Sequence, residues 1–228
     1  QEFSVLGTYR GIPVSISIAD NQAGFLGSVG ICEDTVLLNI GTGGQISVMS
    51  EKPFNGDGVE ARPFVKGKYL LVGASLCGGR AYALLERFFR TFLQRAVGKD
   101  EPLYELLEML AKDGMKRSDN MHISTRFSGT RIDPNIRGNI TNISEDNFTP
   151  EGLAYGILEG MVCELYDFYQ IMYKATGVKA LHLVASGNGV RMNETLQEIC
   201  SRVFDAELTL APYQEEAACG AAVSCSMI

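Results

Sequence analysis

Ala180-Leu181-His182-Leu183-Val184-Ala185-Ser186-Gly187-Asn188-Gly189, followed by Met192 to Val203 and Glu207 to Leu210, decides the fold class. Ala180 to Ala185 is a short apolar run closed by a glycine turn, the pattern of a buried strand. Met192 to Val203 carries apolar residues at helical spacing, Glu207 to Leu210 returns as a strand, and a last helix runs from Glu215 onward. Strands alternating with helices mark an α/β layer architecture.

The upstream chain supplies the rest of the layers. Thr35 to Ile40 reads as a continuous apolar strand ended by Gly41-Thr42-Gly43-Gly44, and Gln45 to Met49 as a second strand, so that the two form a hairpin with a glycine and hydroxyl tip. Glu51 to Lys66, with Pro53, Gly56, Gly58 and Pro63 among charges, reads as a loop, and Tyr69 to Ala74 as a buried strand. Arg80 to Val97 and Leu103 to Leu110 have apolar residues at three- and four-residue intervals, as amphipathic helices do. Ile123 to Ile143 is irregular, and a long helix starts near Pro150, whose missing amide hydrogen suits a first turn, and runs to about Thr176. At the other end, Pro13 to Ala19 alternates Val14, Ile16 and Ile18 with serines and reads as a strand, and Asn21 to Cys32 as a helix; Gln1 to Gly11 leads in without a starting methionine, as if the chain began within a longer protein. The expected fold is one α/β domain with a mixed sheet flanked by helices.

Composition excludes several function classes. With 46% apolar residues in 228, the chain can bury a core without staples. A net charge of -7 and the absence of a basic helical face oppose a nucleic-acid partner. Cys32, Cys77, Cys163, Cys200, Cys219 and Cys225 have no paired metal-site spacing and are expected to be small buried thiols in a reducing, cytoplasmic compartment. No apolar run reaches the roughly 18 to 20 residues of a membrane helix. His122 and His182 have no partner spacing, and Phe88, Phe89, Phe92, Tyr166, Tyr169 and Tyr173 are expected to pack in or near the core.

Chemistry concentrates at three places. The turns Gly41 to Gly44 and Ser186 to Gly189 each follow a buried strand, where backbone amides can reach an anion unobstructed; ordinary tight turns contain the same glycines. Asp20 lies between an apolar stretch and a helix, where an α/β sheet places reactive side chains. It could accept a hydroxyl proton as a general base, or it could simply cap the helix that follows.

Ile18-Ala19-Asp20-Asn21-Gln22-Ala23, Asn39 to Gly44, Ser75 to Gly79, Phe127 to Gly138, Ala185 to Gly189 with Asn193, and Glu216 to Ala222 occur in an order that resembles the FGGY carbohydrate kinases. The resemblance spans nearly the whole chain and implies a ribonuclease H-like fold of the actin and hexokinase superfamily. It implies Asp20 as catalytic base with Asn21 beside the sugar. Gly41, Thr42 and Gly43 would cradle phosphates, Gly78 would open a helix beside the nucleotide, and Gly187, Asn188 and Asn193 would line an adenosine pocket. ATP and Mg2+ are the implied cofactors and a sugar or polyol the substrate, with a keto-sugar such as sedoheptulose favoured through Tyr69 to Gly79 and Phe127 to Ser144; xylulose, ribulose and glycerol are the alternatives. Thr130 stands where the family usually has glutamate. Nothing resembles the family's N-terminal Asp-x-Gly-Thr motif, which implies a partner, the N-terminal kinase domain, without which this chain would turn over little. A non-catalytic nucleotide-binding module of the same superfamily is the competing reading, and a homodimer is left open.

Overall fold

The structure, a computed structural model, describes residues 5–119 and 121–227. Residues 1–4 of the lead-in segment and residue 228 of the expected last helix lie outside the described residues. A six-stranded mixed sheet is built from β3 (Thr35–Ile40), β4 (Gly44–Ser50), β5 (Val59–Pro63), β6 (Tyr69–Ser75), β9 (His182–Ser186) and β10 (Leu208–Leu210), in the order β10-β9-β3-β4-β6-β5. β10, β9 and β3 run parallel, and the β3, β4, β6 and β5 ladders are antiparallel. The pairings Leu38↔Ile46 and Leu38↔Ala185 place β3 between the two halves.

Both faces of that sheet are covered, which is why β3 and β6 read as unbroken apolar runs and not as alternating ones. Val36, Leu38, Ile40, Ile46, Val48 and Leu71 pack with residues of α2 (Gly78–Val97), α3 (Tyr104–Met115), α4 (Pro150–Thr176) and α6 (Glu194–Phe204). Leu37, Met49, Leu70 and Val72 face the other way, onto Phe25 and Leu26 of α1 (Asp20–Ser28) and onto Phe64 and Val65. Phe25 and Phe64 meet edge to face at 5.6 Å between ring centres. Burying each such side chain contributes about 1.5–3 kcal/mol. α1 also packs on α7 (Glu216–Cys225) so closely that a methyl group at Gly27 or Gly220 would collide with the other helix's backbone.

Local signals set the ends of α4. Thr149 accepts from the Gly152 amide as N-cap, Pro150 follows it, and Gly177 ends the helix at φ 77. β7 (His122–Ile123) and β8 (Ile140–Thr141) form a two-residue ladder within the expected irregular segment. The short α5 (Asn188–Arg191) comes before α6.

Several expectations are corrected. Pro13 to Ala19 is not a strand of the central sheet: β2 (Ile12–Ser15) pairs with β1 (Val5–Tyr9) in a separate hairpin, and Ala19 is extended (φ -77, ψ 154) outside any ladder. The Glu51 to Lys66 loop contains β5, an edge strand that tolerates Pro63 because an edge has no inner ladder to break. Of the cysteines only Cys77 and Cys200 are buried, Cys163 and Cys225 are exposed, and all six are unpaired. Phe88 and Phe92 stand 63% and 68% exposed on α2, and Tyr173 is exposed on α4, whereas Tyr166 and Tyr169 pack against Phe204. No helix among the described residues is long and apolar enough to cross a membrane.

Candidate active site

Asp20 is the first residue of α1, and Ala19 occupies the N-cap position with no side-chain cap bond. The capping alternative therefore fails by one position: Asp20 lies in the first turn, where the helix dipole favours its negative charge, and its carboxylate is exposed. It does not end a strand of the sheet either, since β2 stops at Ser15.

Asp20 and Asn21 share a cleft of about 440 Å³ with Gly41, Thr42, Gly43 and Gln45 of the β3–β4 hairpin. Ser75, Arg131 and Glu215 to Ala217 complete its walls. A hairpin tip of small residues can approach a phosphate closely, and Gly41 has open space where a side chain would stand. The tip is held from behind: the first amides of α2, Gly79 N and Arg80 N, donate to the carbonyls of Gly41 and Thr42 at 2.9 and 3.0 Å. Gly78 and Gly79 are glycines because a Cβ on either would collide with the tip's backbone. Gly78 thus supports the tip, and the helix end behind it is bound to protein carbonyls.

Asn21 is fixed from both sides. Its Nδ2 donates to Gln45 Oε1, Gln45 Nε2 donates to Ser47 Oγ at 3.2 Å, and Arg62 Nη1 donates to Asn21 Oδ1 at 2.5 Å. Arg62 pairs with Glu60 at 3.1 Å, and Arg131 reaches the same Glu60 at 3.5 Å. Thr130 closes a turn: its backbone amide donates to Asp133 O at 2.9 Å and its Oγ1 accepts from Asp133 N at 3.0 Å. That turn, which needs Gly129 at φ 76 against Pro134, presents Arg131 to the cleft.

The second glycine turn lies beside the first because β9 pairs with β3, Ser186 opposite Asn39. Gly187 (φ 92) packs against the Ile40 carbonyl, and Asn188 opens α5. Asn193 is buried, and its Oδ1 accepts from Leu196 N at 2.7 Å as the N-cap of α6. Gly187, Asn188 and Asn193 do not line the cleft that holds Asp20. His122 lies on β7 and His182 on β9, where it stands 3.8 Å from Asp34. No group of three or more His, Cys, Asp or Glu side chains that could hold a metal ion occurs among the described residues.

Sequence reasoning missed Gln45, Glu60, Arg62 and Ser75 as cleft or support residues. Gln45 directly follows the glycine tip, a local signal; Glu60 and Arg62 carry none, because they sit among charges and a proline and only the pairing of β5 with β6 puts them at the sheet edge.

Comparison with known proteins adds the family. A family model described as FGGY family of carbohydrate kinases, C-terminal domain, matches residues 36–228, so Asp20 and Asn21 precede the matched segment. The chain is 21% identical over 219 residues to the gluconokinase of Bacillus subtilis (strain 168), covering 92% of this chain and 42% of that protein. The crystal structure of xylulose kinase from Rhodospirillum rubrum matches with a TM-score of 0.79 and 23% identity, over 96% of this chain and 43% of that one. Plasmodium falciparum glycerol kinase with ADP matches at 0.74 and 19%, over 98% and 46%. These structural likenesses show the fold, the expected ribonuclease H-like α/β arrangement. The chain spans less than half the length of these relatives.

Proposed function

The chain belongs to the FGGY family of carbohydrate kinases, and from that membership we propose that it is the nucleotide-binding half of an enzyme that phosphorylates a hydroxyl of a sugar or polyol. The observation that supports this most is that Asp20 and the glycine tip Gly41-Thr42-Gly43 line one cleft. Phosphoryl transfer needs both: a carboxylate to take the hydroxyl proton and unobstructed backbone amides for anionic oxygens.

ATP with Mg2+ would supply the phosphoryl group and the neutralising cation. Gly41, Thr42 and Gly43 hold phosphate oxygens, with the Gly187-Asn188 turn and Asn193 on the adenosine side. Asn21, locked by Arg62 and Gln45, presents a fixed amide to the sugar, and Asp20 takes up the proton of the attacking hydroxyl. A keto-sugar is the substrate put first, sedoheptulose ahead of xylulose and ribulose. The six unpaired cysteines suit a cytoplasmic enzyme.

The N-terminal kinase domain is the partner we assign to the β1–β2 hairpin. Val5, Leu6, Tyr9, Ile12 and Val14 are 44–68% exposed there, and a lone two-stranded ribbon is marginally stable in water. Amide exchange at Val5 to Val14 should be slower in the full-length protein than in this chain alone; equal rates would remove the assignment.

The test is turnover of the full-length protein with Mg-ATP on sedoheptulose, xylulose, ribulose, gluconate and glycerol. Phosphorylation of one of these, abolished by Asp20→Ala, is the expected result. Nucleotide binding with no turnover on any of them would instead mark a non-catalytic nucleotide-binding module.

A further inference from the structure

The Ser75 hydroxyl, at the end of β6, donates to Glu164 Oε2 of α4 at 2.8 Å. Glu164 is a carboxylate with only 5% of its side chain exposed. Thr125 Oγ1 donates to the same oxygen at 3.4 Å, and Arg126 Nε stands 3.7 Å from the other. A buried acid with hydroxyl and guanidinium donors arranged around it holds those donors in one geometry, because any that let go is left unsatisfied in a low-dielectric site.

What Ser75 touches gives the cluster its reach. Ser75 pairs with Gly44 across the β4–β6 ladder, and its Oγ accepts from the Cys77 amide at 3.3 Å, which fixes the turn into α2. The first amides of α2 in turn hold the Gly41 and Thr42 carbonyls. Leu165, next to Glu164 on α4, lies 3.4 Å from where a Cβ of Gly44 would stand. Ser75 itself lines the cleft, and Glu164 does not.

We infer that Glu164 is a positioning residue for the phosphate-binding tip: acting through Ser75, it sets the height and stiffness of Gly41 to Gly44 against α2. The inference rests on the nucleotide-binding reading of that tip and says which residue outside the cleft controls it.

The test uses the full-length protein with Glu164→Ala, Ser75→Ala, their combination and Glu164→Gln, folding being checked by circular dichroism. Backbone hydrogen exchange at 41–44 and the KM for Mg-ATP are measured beside the KM for the sugar. Either alanine variant should raise the KM for Mg-ATP about tenfold and speed exchange at the tip, with the sugar KM nearly unchanged. The double variant should be no worse than the singles, since both break one connection. Glu164→Gln keeps an acceptor for Ser75 and should recover most of the loss. Unchanged tip exchange and nucleotide KM in Ser75→Ala, additive effects, or a glutamine variant as impaired as the alanine one would overturn the inference. If Glu164→Ala does not fold, Ser75→Ala and Glu164→Gln decide the matter. A wild-type protein without turnover refutes the kinase reading separately, while tip exchange still reports on Glu164.

Discussion

Arg62, on the edge strand β5, donates from Nη1 to Asn21 Oδ1 at 2.5 Å, so a residue expected in a loop orients the neighbour of the candidate base. Asn21 also donates to Gln45, which leaves its amide one orientation. Arg62→Ala in the full-length enzyme should raise the sugar KM about tenfold and leave the KM for Mg-ATP within about twofold. Steady-state kinetics with each substrate varied in turn read this out; an equal rise in both constants would place Arg62 outside sugar positioning.

Asp20→Asn keeps the size of the side chain and its place in the first turn of α1 but removes the proton acceptor. The value of kcat should fall by about two to four orders of magnitude with both KM values little changed. A fall of less than about tenfold would remove Asp20 from the base role.

Gly78→Ala forces a methyl group onto the backbone of Gly43 and Gly44, and neither side can yield without lifting the hairpin tip from α2. A loss of about 1–3 kcal/mol is expected by urea denaturation, with nucleotide affinity falling in parallel. Full stability in the variant would show that the tip and α2 are not rigidly packed.

Asn193 caps α6 through Leu196 N, so Asn193→Ala should cost about 1 kcal/mol, and Asn193→Asp should restore it because aspartate caps equally well. Thermal unfolding of the two variants tests this. A nucleotide-affinity loss that persists in Asn193→Asp would identify a direct contact with adenosine beyond the cap.

Burial raises the Glu164 carboxyl above its ordinary value of 4.5, outweighing the Ser75, Arg126 and Thr125 contacts that lower it, while Asp167 adds to the rise. The folded state therefore holds this proton more tightly than the unfolded chain does, and Glu164 withdraws stability as pH climbs from the unfolded value through the higher folded one. Glu164→Gln lacks that titration. Its stability relative to wild type should improve as pH rises above the ordinary value of 4.5, measured as the difference in denaturation midpoint. A difference that stays flat as pH rises would contradict the raised value.

Strand β3, the glycine tip after it, and α4 with its Thr149-Pro150 start and Gly177 stop were legible in the sequence, since each is set by a local pattern or by burial on both faces. Strand β2 was legible only in part, as the start of the Pro13 to Ala19 run, and its partner β1 and the strand β5 were not. In β5, Glu60, Arg62 and Pro63 read as loop residues because an edge strand buries little and so leaves no apolar pattern.

The candidate site divides in the same way. Sequence by itself singled out Asp20 and the glycine tip as the candidates, because a carboxylate before a helix and a run of small residues after a buried strand are local facts. Only the tertiary structure decided that these share one cleft and which side chains hold it in shape. Arg62 meets Asn21 across 41 residues of sequence, and Ser75 meets Glu164 across 89, because the sheet order brings β4, β5 and β6 together and α4 packs over them. Contacts at such separations depend on which apolar faces bury against each other, and no local pattern records that choice.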